Sequence, residues 1–454
     1  MKITLVDSIE FHTYCEAPGQ AYLDRDCDCA GVCGNLDIPP LAYPTIYSLE
    51  LTPSCNNRCP GCSNVFFENT ELRMMTPSRL PMSLGHWRTI VAKIAPHAER
   101  LKLTGGEATL HPQFEEIVET IVDYDLSFTL FTNGRWLDPK RLTSFLTGIP
   151  QCMGLLVSLH GADAFAHEAF TGIEGSFEET IENIRLATQA GLTIHTNTVF
   201  TRYNHHQIEA IVDMSQSLGA ECAVFNRYVG KPIPDLDLPL ETLMQAVRTV
   251  DHLGQGHQKT KFGTCVPLCF VESSSTGCLA GTAYCTIDPW GNVRPCNHAP
   301  QIAGNLFTES LESIWGSTTM NAWRNLIPNE CKTCSAYSKC HGGCRADAVL
   351  KGVEYDPLMS APLLPSPLTS VAREQDLQLY SFATPRLEYT LRDELFGPVL
   401  TKGSDIIPIS IRAKSFLSAI DQSTTLSQLH NDFGPEAIDF VGHLYDRGAV
   451  TLTW

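Results

Sequence analysis

Between about Tyr47 and Val229 the chain alternates two hydrophobic rhythms. Short runs rich in Val, Ile, Leu, Phe and Thr recur at YSLELT (47–52), RLKLTG (100–105), SFTLFTN (127–133), GLLVSLH (154–160), LTIHTNTVF (192–200) and ECAVFNRYV (221–229). Such runs, bounded by polar residues and glycine, predict strands. Between them the apolar positions step at helical spacing. Phe114, Ile117, Val118, Ile121 and Val122 occupy i, i+3, i+4, i+7 and i+8 and predict one buried helix face. A second helix is predicted to open at Ser176, with Glu179 three residues on completing a capping box, and a third to run from about His206 to Leu218. Six β/α units in series imply a parallel sheet, either open and doubly wound or a barrel.

After about Leu253 the rhythm fades. Residues 261–352 are rich in Cys, Gly and Pro with little periodicity, the texture expected where metal replaces a hydrophobic core. DPLMSAPLLPSPLTS (356–370) reads as a linker or an extended wrap. Periodicity returns from about Arg386: strand-like EYTLRDELFGPVL and DIIPISI precede helices near Lys414–Ile420, Leu426–Phe433 and Pro435–Tyr445. Gly448 ends the last helix and AVTLTW closes as a strand.

At 454 residues the chain has room for two to four domains of roughly 100–200 residues. Asp plus Glu number 50 against 32 Lys plus Arg, a net charge of −18, and a surface that acidic repels phosphate backbones. Nucleic acid is therefore not expected as a partner. Neither is a membrane, because no apolar run approaches the roughly 20 residues needed to span one. The start, MKITLVDSIEFHTY, turns acidic too early for a secretory signal, so a cytoplasmic protein is expected. The anomaly is 18 cysteines. A reducing compartment excludes a disulfide framework, and their clustering points instead to metal or iron–sulfur ligands.

Cys55, Cys59 and Cys62 follow the first strand directly, in Cys-Asn-Asn-Arg-Cys-Pro-Gly-Cys. The loop at a strand's C-terminal end is where β/α folds place their chemistry. Three thiolates can hold three irons of a [4Fe–4S] cube and leave the fourth open, whereas structural zinc normally takes four protein ligands. The second strand ends at Gly105-Gly106-Glu107, where glycine permits close backbone approach and a carboxylate can accept from an ammonium group.

Together these motifs resemble the radical S-adenosylmethionine (SAM) superfamily, over roughly Tyr47–Val229. Thr132-Asn-Gly134, Ser158-Leu-His-Gly161 and Asn197 in strand five extend the match. The resemblance implies that the three Cys bind a [4Fe–4S] cluster whose open iron takes the amino and carboxylate groups of SAM. It implies further that Gly105, Gly106 and Glu107 contact that amino group, and that Ser158 and Asn197 line the ribose and adenine side. The chemistry implied is reductive cleavage of SAM to a 5′-deoxyadenosyl radical that abstracts hydrogen, with a reductant such as flavodoxin or ferredoxin as electron donor. Gly61 departs from the family, which usually has an aromatic residue there.

A second set of thiols, Cys278, Cys285, Cys296 in Gly291-x4-Cys, then Cys331-x2-Cys334-x5-Cys340-x3-Cys344, resembles the SPASM extension of radical enzymes that modify peptides and proteins. By that resemblance Cys278, Cys285, Cys296 and Cys344 hold one auxiliary [4Fe–4S] cluster, and Cys331, Cys334 and Cys340 a second. No Cys follows Cys344, so the second cluster lacks a fourth thiolate. Cys265, Cys269, another residue type or an open iron all remain available.

The last 70 or so residues resemble the small winged-helix-like peptide-recognition domain of ribosomal-peptide pathways, which adds a leader peptide to a three-stranded sheet. A generic winged helix serving only for packing is the alternative. The expected fold class is thus α/β: a partial (β/α)6 TIM-type barrel, a Cys-rich iron–sulfur SPASM domain and a small α+β winged-helix-like C-terminal domain. The expected domains are 1–45 as an N-terminal extension, 46–255 as the barrel, 260–352 as SPASM, 353–385 as a linker and 386–454 as the recognition domain.

The expected substrate is a ribosomally made precursor peptide, undergoing crosslinking, epimerisation or oxidation. The alternatives are maturation of a tetrapyrrole-type cofactor or a protein active-site residue, or a non-enzymatic electron-transfer or metal-binding role. His160, at the end of strand four, is the one candidate for moving a proton, weighed against a structural histidine. Cys27, Cys29 and Cys33, with Cys15, can form a metal site or lie incidentally on an N-terminal arm. Cys152 and Cys222 read as buried structural residues.

Overall fold

The computed structural model describes residues 40–62, 80–256, 259–271, 277–334, 336–359, 382–403, 405–409, 411–420, 423–446 and 448–453. The expected N-terminal extension, with Cys15, Cys27, Cys29 and Cys33, and most of the linker lie outside the described residues. Two compact units emerge, one within Tyr43–Leu363 and the other within Leu364–Trp454 together with the stretch ending at Ala42.

The larger unit is built on one sheet. Its strands are β1 (Ile46–Glu50), β2 (Arg100–Thr104), β3 (Phe128–Thr132), β4 (Cys152–Ser158), β5 (Ile194–Val199), β6 (Cys222–Asn226), β7 (Thr260–Phe262), β8 (Tyr284–Ile287), β9 (Asn292–Arg294) and β10 (Gly304–Asn305). Strands β1 to β7 lie side by side in chain order, every neighbouring pair parallel. This is the parallel, partial-barrel architecture that the β/α alternation predicts. Strand alternation turns Leu101, Leu103, Phe128, Leu130, Leu155 and Val157 outward into one core. Helices Leu84–Ile94 and Phe114–Asp123 cover them with Trp87, Ile90, Ile117 and Ile121, and the face of the second is the one read from the sequence.

Three local differences have plain causes. The predicted capping box at Ser176 does not form: helix Ser176–Gln189 is entered through Gly175 at φ 79°, and the Ser176 hydroxyl bonds Thr171 Oγ1 at 2.7 Å instead. A seventh strand, β7, extends the sheet beyond six units. The third and largest difference lies in the Cys-rich stretch, which is not held by thiols alone. Its β8 lies parallel against β1, on the side away from β2, in the register Tyr47↔Cys285 and Leu49↔Ile287. Cys285, Ile287, Val293, Leu306, Ile314 and Met320 thereby enter the main core.

The C-terminal unit pairs β11 (Thr384–Leu387) with β15 (Val450–Thr453), and β12 (Thr390–Glu394), β13 (Gly397–Lys402) and β14 (Asp405–Pro408) form an antiparallel meander. The run read as one strand, EYTLRDELFGPVL, is thus a hairpin. Helices Ile411–Leu417, Leu426–Phe433 and Pro435–Asp446 bury Phe416, Leu429, Phe440 and Leu444 in a core of their own. Thr425 and Gln428 form a capping box at the second of these helices. Among the described residues no helix is long and apolar enough to cross a membrane.

Candidate functional site

Cys55, Cys59 and Cys62 sit together on the loop after β1, half-buried. The loop is fixed by the backbone of the β2 end: Gly106 N donates to Thr52 O and Glu107 N to Ser54 O, each at 2.7 Å. A Cβ on Gly106 would stand 2.3 Å from Ser54 O and 2.7 Å from Pro53 O, and one on Gly105 would stand 2.5 Å from Thr52 O. The two glycines therefore let two loops touch. Gly106→Ala must separate them and is expected to cost about 3 kcal/mol, read by denaturation. Gly61 is different. A Cβ there meets the mobile end of Leu236 at 2.3 Å, beside Phe170 and Tyr228. These three side chains fill the space that a side chain at position 61 would enter, and Gly61→Ala is expected to cost only about 1 kcal/mol.

Glu107 is fully buried. Its carboxylate accepts from Thr109 Oγ1 at 2.8 Å, Thr132 Oγ1 at 2.9 Å and the Asn133 amide at 2.7 Å. Burial raises its pKa, and the bonds from Asn133, Thr109 and Thr132 oppose that rise. Glu107 thus ties the Gly-Gly-Glu and Thr-Asn-Gly motifs together. Asn133 carries the link onward, donating to Asn56 at 2.6 Å and to Cys55 Sγ at 3.7 Å. Burial pushes the Cys55 thiol up to about 11, so its thiolate needs a metal or other cationic partner.

Ser158 and Asn197 face each other in register across β4 and β5. Asn226 at the end of β6, which the sequence reading passed over, donates to Asn197 and extends this polar row along the strand ends. Lys102 was also missed. In the alternation of RLKLT it is the cation on the face opposite the core leucines; its Nζ lies 4.9 Å from the Tyr284 ring centroid, and burial lowers its pKa to about 8.

His160 is buried against Phe170, ring centroids 4.0 Å apart, and its Nδ1 accepts from Val199 N at 3.3 Å. Its own amide donates to His167 Nδ1 at 3.1 Å. Burial holds both rings neutral, pushing His160 well below the ordinary histidine value and His167 down to about 4, where Arg135 adds to the effect. This is the setting of a structural pair. Because the folded pKa of His167 is depressed, the unfolded chain binds the extra proton between about pH 6.5 and 4. Stability should fall as pH drops through that window. His167→Gln should flatten this part of the acid limb in a denaturation series, and an unchanged slope would contradict the assignment.

Eight of the remaining thiols form two groups. Cys265, Cys278, Cys296 and Cys344 are buried together in one cluster. Cys269, Cys331, Cys334 and Cys340 line one pocket. The structure does not bring Cys285 to the first group: it faces the barrel core beside Tyr47, on the opposite face of β8 from Tyr284 and Thr286, and burial alone raises its pKa. Strand alternation is the cause. Arg345 Nη1 lies 3.5 Å from Cys278 Sγ, and Arg227, from the loop after β6, is bonded to Asp356, Asp347 and the Cys265 carbonyl. Among the described residues no group of three or more His, Cys, Asp or Glu is drawn around a point that one metal ion can occupy. An iron–sulfur cube does not ask for that, since each thiol takes its own iron, and two sets of soft thiol donors, the first beside the buried cations Arg345 and Arg227, fit such anionic clusters.

The sequence matches the radical SAM superfamily over residues 49–215 and an iron–sulfur cluster-binding domain, SPASM, over residues 278–341. It is similar to an AdoMet-dependent heme synthase of Methanosarcina barkeri, 27% identical over 69% of this chain and 94% of that protein. It is also similar to a PqqA peptide cyclase of Rhizobium meliloti, 25% identical over 69% of this chain and 85% of that protein. The fold is that of Streptococcus suis SuiB bound to the precursor peptide SuiA, with TM-score 0.56 at 16% identity over 73% of this chain and 77% of that one. The protein is an enzyme of the radical SAM class, with a [4Fe–4S] cluster and SAM as cofactors. More narrowly, it carries a SPASM domain with auxiliary iron–sulfur binding.

Proposed function

We propose that the enzyme abstracts hydrogen from a ribosomally synthesised precursor peptide to set up a crosslink, epimerisation or oxidation. When bound, SAM and its cluster supply the 5′-deoxyadenosyl radical. In this reading Cys55, Cys59 and Cys62 hold the cluster, Gly105, Gly106 and Glu107 organise the methionine end, and Ser158 and Asn197 line the nucleoside. The observation that carries the peptide reading is the separate C-terminal α+β unit. Its three-stranded meander has edges at β12 and β14, the kind of edge to which an extended peptide adds as a strand. The heme synthase of M. barkeri is matched over 94% of its length yet covers 69% of this chain, so this chain is longer than that activity demands. Relatives named PqqA peptide cyclase and, from Mycobacterium ulcerans, mycofactocin maturase point the same way. Cytoplasmic residence and electron supply by flavodoxin or ferredoxin complete the proposal.

The second reading, a tetrapyrrole-type substrate, draws on the 27% identity to the heme synthase. The test is anaerobic reaction with SAM, reductant and the product of any short neighbouring reading frame, followed by mass spectrometry. A peptide mass change that disappears when residues from about Arg386 onward are deleted, while uncoupled SAM cleavage persists, supports the proposal. Turnover of a porphyrin precursor with no peptide change, or full peptide processing by the truncated chain, overturns it.

A further inference from the structure

We infer that the short loop Cys265-Val-Pro-Leu-Cys269 straps both auxiliary clusters, Cys265 completing the first with Cys278, Cys296 and Cys344, and Cys269 completing the second with Cys331, Cys334 and Cys340. Each cube then takes four thiolates from the chain, and Cys285 takes no part.

Three independent features carry this. The first is the placement of thiols. Cys265 is buried in one cluster with Cys278, Cys296 and Cys344, whereas Cys269 lines the pocket of Cys331, Cys334 and Cys340. The second is the way the strap is anchored between them. Arg227 Nη2 donates to the Cys265 carbonyl, and Asp356, which pairs with Arg227, accepts from the Cys344 amide at 2.7 Å, so one buried ion pair fixes two residues of the first group. Three residues along the loop, the Leu268 amide donates to Cys340 Sγ at 3.5 Å, fixing the strap to the second group. Amide bonds to ligand sulfur are the usual outer-shell feature of iron–sulfur sites. Val266 and Leu268 are buried, so the loop cannot swing from one group to the other. The third is exclusion of the rival: Cys285 is sealed into the core with Ile287 and Leu49, across the sheet from the other thiols.

The strap resolves the shortage left by the absence of any cysteine after Cys344. The eighth thiolate comes from upstream. A second cluster ligated in this way has no iron for a substrate atom, which restricts it to structural or electron-carrying roles.

The test uses the full-length chain with Cys55, Cys59 and Cys62 changed to Ala, so that only auxiliary iron remains. Two cubes correspond to about eight irons per chain. Cys269→Ala is expected to lower this to about four, or to leave a cluster whose paramagnetic resonance signal shifts when a small thiol is added. Cys265→Ala is expected to act likewise on the other cluster, and Cys285→Ala to leave iron and spectrum unchanged. Loss of iron from Cys285→Ala, or an unaltered iron content and spectrum in Cys269→Ala, overturns the assignment. Should Cys269→Ala fail to fold, the parent variant still decides. Its reduced signal should be indifferent to added small thiol, and a shift would reveal an open iron and refute the strap.

Discussion

Cys59→Ala is expected to yield a folded chain that keeps its auxiliary iron and releases no 5′-deoxyadenosine above background. The loop after β1 offers three thiols, and the cube needs each of them; with Cys59 gone, two remain on a segment whose backbone is pinned to the β2 end and cannot rearrange to recruit a fourth group. The fold should survive, because the core beneath the loop is built of Leu49, Leu51 and their neighbours and includes none of the loop's three thiols. If all three clusters are cubes, about two thirds of the iron should remain. Iron analysis after anaerobic reconstitution, with chromatography of the nucleoside products, reads both halves of the expectation. Normal SAM cleavage by the variant would remove the loop from the site.

Arg227→Met should be strongly destabilising. The guanidinium and its partners Asp356 and Asp347 are all essentially inaccessible, with side-chain exposures of 1%, 0% and 0%. Removing one member of such a group strands the others, which costs about 3–5 kcal/mol. The loss includes the brace on the Cys265 carbonyl, so auxiliary iron should also become easier to strip. Denaturant midpoints measured without oxygen give the first quantity and chelator-release rates the second. Asp356→Asn in the same chain should recover part of the loss, because it removes the orphaned charge. A midpoint shift worth less than about 1 kcal/mol would mean that water reaches this pair.

Much of this architecture was legible in the chain because two physical signals are strong. Strand runs such as RLKLT and SFTLF carry their alternation openly, and glycine at 105 and 106 is required by contact between backbones rather than by preference. The cysteine pairing was less legible. Spacing places Cys278, Cys285 and Cys296 in one series, but spacing cannot say that residue 285 falls on the core face of a strand; that depends on β8 docking beside β1, a contact between positions over two hundred residues apart. Cys265 and Cys269 were visible as soft ligands without an owner. Arg227 follows a strand with nothing distinctive around it, and its meaning arises only when the residues after Cys344 fold back to supply Asp347 and Asp356, while that of Asn226 arises only when Asn197 of the neighbouring strand lies beside it. His160, weighed from the sequence as either a proton carrier or a structural histidine, is buried against Phe170 and beside His167, surroundings that its place at a strand end does not reveal.

The docking of β8 beside β1 also constrains how the protein can be made. During synthesis the β/α units emerge first, and β1 pairs with β2 while its other edge still offers unpaired amides and carbonyls. That edge stays open until residues 284–287 leave the ribosome, and an open edge of Ile-Tyr-Ser-Leu-Glu is a template for pairing with another chain. The barrel expressed alone, ending near residue 255, would keep this liability permanently. A separately expressed iron–sulfur region would lack the strand on which its own first strand lies. Chimeras that exchange recognition or barrel modules among relatives should therefore be joined after about residue 352, never between β7 and β8.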